Sequence, residues 1–292
     1  MKKVLVIGDV IVDVYRYGTP LGISAATPTI VSEYIHGTET HGGAALVARH
    51  LHHLDESDLK YRGVNTKVLS IGDYIQSGML SDGLHHKIIN LKGWKTPVKE
   101  RIVVGGYKLA QLDTLNKIEH TSDTEDEFMK LAVSLIDEVD EVVIADNRHG
   151  VINKNIACRL VNYCWSAQKR MYVDSQVSQS SSNHVWYYSA NVFFMNMREL
   201  NAVTKQLNAD SHVSKKLELA QDLLGSELII LKDGSNGAGY YKMNDPYYYH
   251  TRPPKIAAVD TCGARDALMA YLVREYDGTK DGQRGVEGKI EE

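Results

Sequence analysis

Near its C-terminal end the chain reads Asp260-Thr261-Cys262-Gly263-Ala264-Arg265-Asp266-Ala267-Leu268-Met269. A glycine turn that opens an apolar helical run leaves backbone N–H groups without intrahelical partners and a partial positive charge at the helix start. Such a terminus binds anions, phosphate above all. Asp266 places a carboxylate in the first turn. A carboxylate beside a phosphate site can take the proton of a hydroxyl that attacks phosphorus.

Four other constellations carry possible chemistry. In Gly8-Asp9-Val10-Ile11-Val12-Asp13, alternation along an extended run sets Asp9, Ile11 and Asp13 on one face. Asp13 is then either an acceptor for two sugar hydroxyls or a solvated strand-end acid. Gly42-Gly43 precedes an apolar helix and reads as a close backbone approach to a ligand or as a tight turn. Asn196 and Glu199 lie three apart across a strand-to-helix turn. They read either as groups that hold Mg²⁺ through water or as an N-cap with its capping-box glutamate. The run from Lys232 through Gly234 to Gly239 reads as a phosphate-touching loop or as a hairpin, with the hairpin the plainer reading. His50, His52 and His53 lack a third ligand for zinc and read as a solvated helix face.

The elements that must position these groups follow from hydrophobic periodicity. Candidate strands cover 4–7, 68–71, 141–145, 171–174, 192–195 and 228–232, and amphipathic runs cover 44–54, 126–139, 155–167, 199–207 and 215–224. Strand–helix alternation predicts a mostly parallel sheet covered by helices on both faces, with ligands at the carboxyl ends of its strands. Polar residues stand at several such ends: Asp9, Asp146-Asn147 and Asn196. Residues 29–39 and 98–112 are extended without an intervening helix and predict a small antiparallel lid, with lid segments near 14–40 and 96–113. A single domain over 1–276 is expected. The charged, Gly-rich run from Asp277 to Glu292 is expected to be disordered.

Bulk properties narrow the classes. A net charge of −4 gives no electrostatic footprint for nucleic acid, and no apolar run approaches membrane-spanning length. The three cysteines form no CxxC pair and suit a reducing, cytoplasmic compartment.

The order of landmarks resembles the ribokinase-like (PfkB) carbohydrate kinases: Gly-Asp-x-x-x-Asp, then Gly-Gly before a helix, then Asn-x-x-Glu, then Asp-Thr-x-Gly-Ala-x-Asp. The run from Gly8 to Gly18, with Ile23-Ser24 and Pro28, is similar to the kinase domain of the heptose 7-phosphate kinase/ADP-heptose synthase branch. So are Thr96 to Arg101 and Gln111-Leu112-Asp113. Asp146-Asn147-Arg148-His149-Gly150 stands where that branch has an Asp-Tyr-x-Lys-Gly turn. The resemblance implies a ribokinase-like α/β three-layer sandwich with a β-lid that often pairs two subunits. It implies ATP and Mg²⁺, with a monovalent cation as a further option, and a sugar phosphate whose hydroxyl is the nucleophile. In that branch the acceptor is the anomeric hydroxyl of a heptose 7-phosphate.

Position by position, the resemblance makes Asp266 the base and the backbone of Gly263, Ala264, Arg265 and Asp266 the anion hole. It gives Asp13, Gly42 and Gly43 to the sugar, and Asn196 and Glu199, with Lys232 and Gly234, to the nucleotide and its metal. Three departures accompany it. Arg265 replaces a glycine, Leu46 stands where the branch has a sugar-binding asparagine, and the chain ends soon after the catalytic helix. These support the rival expectation of a degenerate relative that binds a sugar phosphate or a partner subunit without turnover. A kinase of another small alcohol, such as a nucleoside or a hydroxymethyl-pyrimidine, is a third reading, against which the Tyr15–Gly18 run argues. Arg265 itself is expected either to fold over the phosphates or to fill the space of the missing glycine and pair with Asp266, lowering its pKa.

Overall fold

The computed structural model describes residues 2–53, 64–73, 85–89, 94–115, 118–178, 181–208, 211–245, 247–253 and 263–276. Along the chain these form β1 (Lys2–Gly8), β2 (Val10–Ile23), β3 (Ile30–Gly43), α1 (Ala44–His53), β4 (Val64–Ile71), β5 (His85–Ile89), β6 (Val98–Val104) and β7 (Tyr107–Thr114). There follow α2 (Ser122–Ile136), β8 (Glu141–Asp146), α3 (Lys154–Ser166), β9 (Arg170–Ser175), β10 (Val192–Asn196), α4 (Met197–Val203), α5 (Val213–Leu224), β11 (Leu228–Lys232), β12 (Ala238–Lys242), β13 (Tyr248–Thr251) and α6 (Ala264–Glu275).

Nine of the described strands form one sheet in the order β13-β12-β11-β10-β9-β8-β1-β4-β5. It is parallel from β11 to β5 and antiparallel only at β11–β12 and β12–β13. Its central strands are continuous apolar runs because both faces are covered. In β1, Leu5 and Ile7 join Phe128, Leu160, Leu200 and Leu217 in one core. Val4 and Val6 point the other way, into a second core with Val47, Leu51, Met269 and Val273. Successive side chains of a strand alternate faces, so one strand feeds two layers. Each such side chain contributes about 1.5–3 kcal/mol on burial. The result is a three-layer sandwich, with α2, α3, α4 and α5 on one side and α1 packed against α6 on the other.

A second sheet, ordered β3-β2-β6-β7, stands apart. Its two hairpins are antiparallel, and the β2–β6 pair that joins them is parallel. Every residue of β7 is exposed. Large apolar side chains on this sheet face outward, with Ile23 at 75% and Tyr107 at 72% exposure. The main sheet and the lid thus match the expected fold class.

Differences lie at element ends. Helix α2 begins before the expected 126 because Thr121 and Thr124 close a capping box that periodicity alone does not show. Strand β5 escapes a reading by pattern, since His85, His86 and Lys87 precede its only apolar pair. The tail from Asp277 and the motif residues Asp260, Thr261 and Cys262 lie outside the described residues.

Candidate active site

The site is built around the first turn of α6. Gly263 is its N-cap, with a φ of 83° that favours glycine. Leu46 of α1 lies 3.1 Å from where a Cβ on Gly263 would sit, so α6 starts tight against α1. Ala264, Arg265 and Asp266 then occupy the turn whose N–H groups a helix leaves unpaired. The Asp266 side chain is only 15% exposed. Burial pushes its carboxyl up to about 6; Arg265 and Lys232 pull it down, and Asp174 and Asp13 add to the rise. Arg265 pulls this pKa down as expected, but burial outweighs it, and the carboxyl ends above its ordinary value.

Arg265 does not pair chiefly with Asp266 either. Its Nε lies 3.3 Å from Oδ2 of Asp174 and 4.0 Å from Oδ1 of Asp266. One terminal nitrogen donates to Oδ1 of Asn147 at 3.3 Å. The end of the Gln176 side-chain amide lies 2.8 and 3.2 Å from the two terminal nitrogens. Glu199 stands 3.9 Å away. The side chain therefore lies across the carboxyl ends of β8, β9 and β10. Lys232, the last residue of β11, joins the group and pairs with Asp174 at 2.8 Å. Burial would raise the Asp174 carboxyl, but Arg265 and Lys232 together hold it below its ordinary value. Burial lowers Lys232 and raises Glu199.

Asn196 and Glu199 form the capping box of α4. Oδ1 of Asn196 accepts from the N–H of Glu199 at 2.9 Å, and Oε2 of Glu199 accepts from the N–H of Asn196 at 2.7 Å. As direct ligands of Mg²⁺ they do not fit. Mg²⁺ asks for octahedral oxygens, whereas here each residue caps the other and a guanidinium faces the free Glu199 oxygen. Among the described residues no group of three or more His, Cys, Asp or Glu is arranged to hold a metal ion. Gly234 begins a short turn between Lys232 and Ala238, where β11 reverses into β12. This is the hairpin geometry.

On the other side of α6 an open cavity of about 540 Å³ is lined by Asp13, Tyr15, Tyr17, Leu46, His50, Gly263 and Ala264, among others. Asp13 forms a close ion pair with Arg101, which also stacks over the Tyr15 ring at 5.2 Å. A Cβ on Gly42 would overlap Oδ2 of Asp13, so a side chain there would displace that carboxylate. Gly43, at φ 60°, packs onto the Asp9 carbonyl in the same way. His50 departs from the expected solvated face: it lines the cavity, and its Nε2 is buried without a hydrogen-bond partner among the described residues.

Asp9, expected on the face of Asp13, breaks β1 from β2 and turns into the protein. It accepts from the N–H groups of His149 at 3.2 Å and Val151 at 3.1 Å, and burial followed by repulsion from Asp146 raises its carboxyl to about 7. Asp146 in turn accepts from Asn183 at 2.7 Å and Tyr187 at 2.8 Å. These two acids fix the loop that carries Asn147 beneath Arg265. His149, in the same loop, is pushed down to about 4 by burial and by Lys99.

Sequence reasoning passed over Asp174, Gln176 and Arg101. Asp174 was read only as the last residue of a strand, although its position at a carboxyl end was a usable signal. Arg101 lies 88 residues from Asp13, and nothing local links them.

The profile of the pfkB family carbohydrate kinases matches residues 1–286. The chain belongs to the PfkB family of carbohydrate kinases. Curated relatives include Bifunctional protein HldE of Wolinella succinogenes, 26% identical over 275 residues that cover 92% of this chain and 55% of that protein. The HldE of Helicobacter pylori is 24% identical over 274 residues, covering 93% and 58%. The chain thus spans little more than half the length of these PfkB relatives. Among solved structures, a ribokinase from Giardia lamblia superposes with a TM-score of 0.72 at 14% identity, covering 98% of this chain and 87% of its own. Phosphofructokinase-2 from Escherichia coli in complex with fructose-6-phosphate gives 0.70 at 15% identity, covering 93% and 86%. At such identities the likeness is one of fold.

Proposed function

We propose that this chain is an ATP-dependent kinase acting on a hydroxyl of a sugar phosphate, with the anomeric hydroxyl of a heptose 7-phosphate as the leading acceptor. The observation that carries this reading is the place of Asp266. It is a buried carboxylate at the start of a helix, between the cavity that Asp13 lines and the charged ends of the central strands. A carboxyl with a pKa of about 6 is mostly ionised near neutrality and is a stronger base than an ordinary aspartate.

Asp266 takes the proton of the sugar hydroxyl as its oxygen bonds to the γ-phosphorus. The bond from that phosphorus to the β–γ bridging oxygen breaks, and ADP leaves with the electron pair. The N–H groups of residues 263–266 face the charge that develops on the transferring group. Asp13, flanked by Gly42 and Gly43, accepts hydrogen bonds from the sugar, which requires its pair with Arg101 to open or to be shared. Lys232 and the turn at Gly234 lie on the nucleotide side. The family's use of ATP with Mg²⁺ supports the nucleotide; Asn196 and Glu199 serve it by fixing the start of α4. The HldE relatives and the Gly8–Gly18 run support the heptose.

The exposed apolar side chains of the lid support a homodimer formed through that sheet. No helix among the described residues is long and apolar enough to cross a membrane, and dependence on ATP supports the cytoplasm. A second reading, favoured by Arg265 at the anion hole and Leu46 in the cavity, is a relative that binds a sugar phosphate or a partner subunit without turnover. ATP consumption measured against a panel of sugar phosphates separates the two. The kinase reading expects turnover with one or more members, highest with a heptose 7-phosphate. Sugar phosphate binding by calorimetry with no ATP consumption across the panel would establish the second.

A further inference from the structure

We propose that the guanidinium of Arg265 is a built-in counter-ion for the carboxylates of Asp174, Glu199 and Asp266, so that this cluster binds the phosphates of a nucleoside triphosphate without recruiting a divalent cation of its own. The inference rests on the nucleotide reading of the site for its phosphate half, and on the geometry of the cluster alone for its cation half.

The charge count comes first. Asp174, Glu199 and Asp266 lie within 3.3, 3.9 and 4.0 Å of Arg265, and Lys232 is 2.8 Å from Asp174. Among the described residues three carboxylates face two cations. Without Arg265 three would face one, a surplus of two negative charges, which is the charge of one divalent ion. Asp13, the next carboxylate toward the cavity, is already paired with Arg101.

Geometry makes the same point. Asp174 is 3% exposed, and its Oδ1 has no hydrogen-bond partner among the described residues. A buried carboxylate oxygen left this way is what a metal would coordinate if the neighbouring space were free. The other oxygen, Oδ2, faces Nε of Arg265 at 3.3 Å, and that guanidinium is held further by Asn147 and Gln176. The Arg265 side chain nevertheless remains 28% exposed at the strand ends. A guanidinium matches phosphate oxygens in pairs and cannot lose its charge. It offers the nucleotide a cation that arrives with the fold instead of from solution.

Two binding measurements on the whole chain test this. In the first, Mn²⁺ is titrated into nucleotide-free protein and followed by electron paramagnetic resonance. The parent is expected to bind no Mn²⁺ below millimolar concentration. Arg265→Gly and Arg265→Gln are each expected to bind one Mn²⁺ at least tenfold more tightly than the parent, and adding Asp174→Asn is expected to abolish that gain. Glutamine keeps a donor for Asn147 and serves if the glycine variant does not give a cooperative melt. A parent that binds one Mn²⁺ tightly, or a folded Arg265→Gln that binds no better, overturns the proposal.

In the second, ATP affinity of the parent is measured with Mg²⁺ and with EDTA. A change of less than threefold supports the proposal, and a larger loss in EDTA overturns it. If ATP binds in neither condition, the nucleotide reading and with it the phosphate half of the proposal fall, while the Mn²⁺ titration still decides the cation half.

Discussion

Two guanidinium–carboxylate contacts flank Asp266, and they are built differently. On the lid side Arg101 of β6 reaches Asp13 of β2, along the parallel β2–β6 pair, and stacks on Tyr15, also of β2. Both partners belong to one sheet, so the pair can travel with that sheet. On the strand-end side Arg265 crosses from α6 to the ends of β8, β9 and β10, meeting Asp174, Asn147 and Gln176. Its anchors come from the central sheet, and its acid is shared with Lys232. The first contact is a pair that a ligand can compete for. The second is a network in which removing one member leaves buried charge behind, and such removals cost more than the contact itself contributes.

The largest effect is expected between the two contacts. Asp266→Asn should lower turnover by about 10²–10⁴-fold while sugar phosphate affinity by calorimetry stays within a few-fold. A variant that keeps the parent rate would leave the two sides with no shared chemical centre. On the lid side, Asp13→Ala should weaken sugar phosphate binding about tenfold or more, because a charged acceptor of ligand hydroxyls is worth about 1.5–3 kcal/mol. ATP affinity should barely move. Equal losses on both ligands would mean that the lid pair is structural and the comparison misplaced. The smallest effect is expected at Glu199→Gln. Glutamine can still accept from the N–H of Asn196, so thermal stability should change by less than about 1 kcal/mol. A large loss of stability would show that the Glu199 charge, not its cap, holds the strand-end network together.

Much of this architecture is legible in the sequence because its causes are local. Leu228–Lys232 is a continuous apolar run ending in a lysine, and it forms β11 over the same five residues. The start of α6 announces itself through Gly263 and the acid three residues on. What escapes is whatever depends on two distant segments meeting. Asp174 has no feature in its own neighbourhood that distinguishes it from any strand-end acid, and its partners stand 58 residues away at Lys232 and further still at Arg265. Asn196 and Glu199 show the converse. Their spacing announced a cap, and the cap is present, because a helix beginning there leaves N–H groups that those side chains reach. The downward pull of Arg265 on Asp266 was legible, but the net rise was not, because a charged neighbour is visible in a sequence and desolvation is not.

The central claim is that Asp266 acts as the base in phosphoryl transfer, and its pKa makes a quantitative demand. The carboxyl is pushed up to about 6 and must be ionised to accept a proton. Its reactive fraction is therefore small at pH 5 and nearly complete at pH 8. Single-turnover transfer from γ-labelled ATP to a heptose 7-phosphate, measured at those two pH values, tests this most directly. The account predicts label on the anomeric oxygen and a rate about tenfold higher at pH 8 than at pH 5. Label transferred at the same rate at both pH values, or no label transferred at either, would contradict it.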